Sequence, residues 1–96
     1  MIGNVVFEGG EFKTKVNGTP TSVERDLWTC TGKFTIKAAA KVSPTVLHEP
    51  SGGVAGRFWE VIIADDKFTD ATKPTMSTAW DCAITGTDKK LQVFKA

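Results

Sequence analysis

Tyrosine is absent from this chain, histidine occurs once, at His48, and cysteine twice, at Cys30 and Cys82. Structural zinc sites usually draw about four Cys and His ligands from close pairs, so three such residues spread along the chain exclude one, and two cysteines make no disulfide framework. No metal or cofactor is expected. Whether Cys30 and Cys82 bridge each other stays open, since adjacent strands could unite them while a reducing compartment would keep two buried thiols. An excess of charge is missing too. Twelve Lys and Arg against eleven Asp and Glu leave a formal charge of +1, which provides no global field to select nucleic acid or an acidic membrane. No apolar run approaches the roughly 18 residues that span a bilayer, and Met1 to Glu8 lack the basic stretch of a secretory signal. The expected location is the cytoplasm or the inside of a viral particle.

What is present is a small chain with nine Phe and Trp residues among 96 positions, enough for one core but not two. A single β-rich domain over residues 1–96 follows. Leu27-Trp28-Thr29-Cys30-Thr31-Gly32 is echoed by Ala79-Trp80-Asp81-Cys82-Ala83-Ile84-Thr85-Gly86, at an offset of 52 (28 to 80). In each half an aromatic-Glu pair precedes the echo (Phe7-Glu8, Trp59-Glu60) and a Lys-apolar alternation follows it. This suggests a two-fold repeat, with half-repeats 1–42 and 54–96 joined by a Pro/Gly-rich loop 43–57. Such a repeat would place Trp28 and Trp80 in matching surroundings about a pseudo-twofold axis.

Along the chain, Val5 to Glu8 and Glu11 to Val16 flank Gly9-Gly10, the dipeptide of a tight β-hairpin, with Phe7 set against Phe12 and Glu8 against Glu11. Asn17-Gly18-Thr19-Pro20 reads as a turn, and Thr21-Ser22-Val23-Glu24 has the spacing of a helix capping box, predicting a short helix through Asp26. Lys33 to Val42 alternates apolar and polar residues as a strand does, with three consecutive alanines as the argument for a helix instead. Phe58 to Ala64 is apolar on both faces apart from Glu60, as in the most buried strand. Ala79 to Thr85 and Leu91 to Lys95 are strands joined by Gly86-Thr87-Asp88. The fold class is mostly β: a small antiparallel barrel or sandwich of six or seven strands with at most one short helix.

Chemistry-bearing patterns are sparse. Asp65, Asp66 and Asp70 lack the Gly and terminal Glu of a calcium loop, so a solvated acidic turn accounts for them. Ser51 to Arg57 is glycine-rich, yet no helix pattern follows it to receive a phosphate, and a flexible loop suffices. A thiol of Cys30 or Cys82 with His48 is the one conceivable nucleophile-base pair, and nothing in the sequence places them together. The chain therefore reads as no enzyme but a binding or assembly module, of the kind found among small phage or mobile-element structural proteins. Its expected partner is another protein or a second copy, met through Arg57, Trp59, Trp28 and Trp80, because aromatic residues and Arg commonly anchor interfaces. The alternative is a single-stranded nucleic-acid binder with Lys33, Lys37 and Lys41 on one β face, joined by Lys89 and Lys90, since strand-borne lysines can track a phosphate backbone.

Overall fold

The computed structural model describes residues 2–95, and none of them is helical. Ten strands follow one another: β1 (Val5–Phe7), β2 (Glu11–Asn17), β3 (Trp28–Cys30), β4 (Lys33–Ile36), β5 (Lys41–Leu47), β6 (Phe58–Ala64), β7 (Lys67–Phe68), β8 (Thr75–Met76), β9 (Trp80–Thr85) and β10 (Lys90–Lys95). They form three small sheets around one core, ordered β1-β4-β7, β2-β5-β8 and β3-β6-β10-β9. The mostly β expectation, a small barrel or sandwich, therefore holds. Within that class the strand pairing differs from the expected antiparallel one.

The chain coils. It passes through one strand of each sheet in turn, then starts again beside the strand it laid down first, so β1-β4, β4-β7, β2-β5, β5-β8 and β3-β6 all pair in parallel. Each pass supplies the hydrogen-bond partners of the next. Lys37 N donates to Phe7 O at 3.0 Å, Lys41 N to Gly10 O at 2.9 Å, and Thr75 N to Ala40 O at 2.8 Å. Here β1 and β2 form no hairpin, because their backbones bond to β4 and β5 instead; Gly9-Gly10 makes a corner between two walls, with Gly10 at φ 78°. Only β10 runs against its neighbours. It folds back from β9 and inserts between β6 and β9, antiparallel to both. The third wall is consequently four strands wide.

The core lies inside these walls because alternate residues of each strand point inward. Val5 and Phe7, Phe34 and Ile36, and Phe68 come from the first wall, and Thr14, Val16 and Val42 from the second. Val61, Ile62, Leu91 and Val93 of the third wall are fully buried, and at about 25 cal/mol per Å² each contributes roughly 1.5–3 kcal/mol before entropy is counted. Thr14 is the one buried polar side chain among the described residues, and its hydroxyl donates to Asp26 O at 3.0 Å.

Lys33 to Val42 is not one strand. The chain turns a corner at 37–40, closed by Ala40 N donating to Lys37 O at 3.0 Å, and fully buried Ala40 gives the corner the small residue it needs. The expected helix after Pro20 is replaced by an excursion. Ser22 Oγ accepts from Glu24 N at 3.2 Å in a local serine turn, while Glu24 O is taken by Asn17 N and Arg25 bridges Val16, so the segment returns along β2. Strand β5 continues through Leu47, which shortens the irregular stretch to 48–57. Pro44 is tolerated inside that strand because the last bond toward β8, Ser77 N to Val42 O, lies before it.

The coil gives the sequence a different spacing from the echo. Lys33 pairs with Lys67, Phe34 with Phe68, Trp28 with Ile62 and Lys41 with Thr75, each 34 positions apart (33 to 67). Lys33-Phe34-Thr35 and Lys67-Phe68-Thr69 are the same tripeptide stacked on itself, with the two threonine hydroxyls hydrogen-bonded at 2.9 Å. The 52-residue repeat is not confirmed. Trp28 of β3 and Trp80 of β9 lie in different surroundings, the first among three Phe rings and the second beside Trp59 and Lys95.

Candidate functional site

Trp28 packs among Phe7, Phe12 and Phe34, ring centroids 5.1, 5.6 and 4.9 Å away, in an aromatic cluster where the walls meet. Trp80 instead lies 6.3 Å from Trp59, with Lys95 Nζ 6.0 Å from its ring. Of the four residues expected at an interface, Arg57, Trp59 and Trp80 are brought together and Trp28 stands apart.

Arg57 enters β6 from the 48–57 stretch and points its guanidinium at the excursion that follows β2. Nη1 donates to Gly18 O at 2.9 Å and to Thr19 O at 3.0 Å, Nη2 donates to Ser22 O at 2.6 Å, and the group stacks 4.8 Å from the Trp59 ring centroid. Its hydrogen bonds are spent on holding that loop. Trp59 is 3% exposed, and its Nε1 is the single buried side-chain polar atom without a partner among the described residues, an omission worth about 1–3 kcal/mol.

The surface opens beside these residues. A bulge in β6 makes Gln92 of β10 pair with Glu60 and Leu91 with Ile62, which leaves Val61 as the extra residue. Val61 and Ile62 then both turn inward, and Phe58 before them faces out, 60% exposed. Between Phe58 and the excursion lies a groove of 410 Å³ walled by Val23, Arg25 and Gln92, where Val23 is 75% exposed. On the other side of Phe58 a second hollow of 350 Å³ is lined by Phe94, Gly56 and Lys95. Phe58 is the ridge between the two. Phe94 is its cross-strand partner, so the two rings share the outer face of the third wall.

Both lysines beside this trough are matched by acids. Lys90 Nζ sits 3.1 Å from Glu60 Oε2, and Lys95 Nζ 3.6 Å from Glu49 Oε1. Arg25 donates from Nε to Glu60 O at 2.9 Å, and no ion pair with a carboxylate engages it among the described residues. Val23, Arg25, Phe58 and Gln92 were not among the residues expected from the sequence. Alternation within β6 carried the signal for Phe58: an inward Trp59 implies an outward neighbour.

The five lysines of the alternative reading do not line one strand. Lys33 lies on the first wall, Lys37 at a corner and Lys41 on the second wall, 3.9 Å from Glu11 Oε2; Lys89 and Lys90 lie at the β9–β10 turn. Cys30 and Cys82 are buried free thiols in β3 and β9. Burial pushes Cys82 up to about 11 and raises Cys30 as well, so both stay protonated near neutrality. His48 lies at the exposed end of β5 with φ 56°, and the Asp65, Asp66 and Asp70 carboxylates form no metal-binding cluster among the described residues. No protein-family model, curated protein or solved structure matches the chain.

Proposed function

We propose that the chain is a non-enzymatic binding or assembly module whose contact surface is the outer face of the third wall. The observation that carries this reading is the exposed Phe58 ridge, flanked by two hollows on the widest sheet of the molecule. Scattered exposed apolar residues are ordinary on proteins, but an aromatic ring beside Arg and a second ring is the composition of an interface anchor. Arg57 and Trp59 serve it from beneath by fixing the excursion and the start of β6, and Trp80 backs Trp59.

Sedimentation velocity at micromolar concentration tests it together with binding of an apolar fluorescent dye. Wild-type chain is expected to sediment as more than monomer or to bind the dye, and Phe58→Ser is expected to abolish whichever occurs while changing the unfolding free energy by no more than about 0.5 kcal/mol. A monomer that binds no dye, or a response unchanged by Phe58→Ser, overturns the reading.

A further inference from the structure

Resting on that reading, we infer that the groove between the 18–24 excursion and β6 receives an extended protein segment in which a carboxylate side chain neighbours a large apolar one. Three observations meet there. The first is charge. Glu60 and Glu49 already have Lys90 and Lys95, whereas Arg25 and Arg57 have no carboxylate partner among the described residues. Among the side chains that line the two hollows, Arg25 and Arg57 are therefore left without a paired acid, while Glu24 and Asp26 flank Arg25 on its other side without an ion pair to it. Carbonyl bonds occupy Arg57, but Arg25 uses only Nε, leaving its two terminal nitrogens. A half-buried guanidinium loses hydration without gaining a counter-charge, and its planar fork matches a carboxylate in a bidentate pair.

The second observation is apolar surface within reach of that charge. Val23 and Phe58 line the same 410 Å³ groove as Arg25, both largely exposed, and Phe94 extends the apolar strip beyond Phe58. An anion without an apolar neighbour would leave these groups wet, and an apolar ligand without an anion would leave Arg25 unmatched. The third is shape. Phe58 separates the groove from the 350 Å³ hollow and Gln92 lines both, so a segment laid across the ring reaches both hollows beside a side-chain amide able to pair with backbone N–H and C=O groups.

The test uses the full chain and two blocked tripeptides, acetyl-Leu-Asp-Phe-amide and acetyl-Leu-Asn-Phe-amide, titrated while backbone amide shifts are followed by NMR. The Asp peptide is expected to shift the amides of Val23, Arg25, Phe58 and Gln92 saturably, and the Asn peptide to bind at least about tenfold more weakly, about 1.4 kcal/mol. Arg25→Gln should erase that preference, and Phe58→Ser should weaken both peptides while keeping the dispersed spectrum of a folded chain. Equal affinity for the two peptides, shifts outside the groove, or no saturable shift overturns the inference. If no peptide binds yet self-association or dye binding still depends on Phe58, the acidic-segment inference falls and the binding module stands. Failure of both removes both.

Discussion

The first two walls and the third are built from the same coil and end up with different exteriors. On the first wall each strand lies in parallel on the one before, and the outward residues are Val6, 52% exposed, and the stacked like pairs Lys33 with Lys67 and Thr35 with Thr69. The second wall shows Glu11, Lys13 and Lys41, with Glu11 3.8 Å from Lys13 and 3.9 Å from Lys41. Ser43 donates to Glu11 as well, which with the two lysines holds that carboxyl below its usual range. These faces are mostly polar, with Val6 and Leu47 as single exposed apolar side chains. The third wall breaks the stacking: β10 enters against the grain, β6 bulges, and Phe58 and Phe94 emerge on the outside. Where the regular stacking is interrupted, the molecule presents its one largely exposed aromatic ring among the described residues, Phe58.

The largest test of this contrast compares two phenylalanines. Phe34, fully buried in the first wall against Trp28 and Phe68, should cost about 3–5 kcal/mol as Phe34→Ala, enough to unfold much of a small domain, as read by urea denaturation. Phe58 on the third wall should cost little in the same measurement. Equal losses would erase the distinction between a structural wall and a contact wall.

Next in size is Arg57→Ala, which strips three carbonyl acceptors of their donor and uncovers one face of Trp59. A loss of about 2–3 kcal/mol is expected by thermal melting, with amide exchange rising in residues 18–24 rather than in the first wall. Uniform exchange throughout the chain would mean that Arg57 does not act through the loop.

The smallest effect concerns how dry the inner face of the third wall is at its edge strand. Folding raises the Cys82 thiol, so the native state holds its proton more tightly than the unfolded chain does. Its contribution is fully present below the unfolded value near 9 and is lost as pH rises toward about 11. The wild-type melting midpoint should therefore fall across that window, and Cys82→Ala should flatten the fall without lowering its onset. A thiol that reacts with a disulfide reagent at neutral pH in the native protein would show that β9 is not closed.

Some of this was legible in the sequence. The apolar run Phe58 to Ala64 and the strands on either side of Gly86 could be read from pattern alone, because each is dictated by its own residues. The parallel pairing could not. Gly9-Gly10 favours a hairpin locally, and only the arrival of β4 and β5, some 30 residues later, takes the hydrogen bonds away. The capping box at Thr21 lost to Asn17 and Val16 for the same reason, since tertiary partners outbid a turn of helix. Rare residues drew attention to the 52-residue echo, while the common tripeptide Lys-Phe-Thr, 34 apart, marked the coil. Arg57 and Trp59 stand out by type, and the structure turns their side chains onto the excursion and into the core. Val23 and Arg25 are unremarkable until the excursion folds back over β6.

The insertion of β10 has one more consequence. Strand β9 pairs with nothing but β10, and the trough takes Gln92 and Phe94 from β10 itself. Without this last strand the core loses Leu91 and Val93, the third wall is not closed, and neither hollow beside Phe58 has its full lining. Seating of β10, six residues long, thus closes the third wall and shapes its outer hollows in a single step.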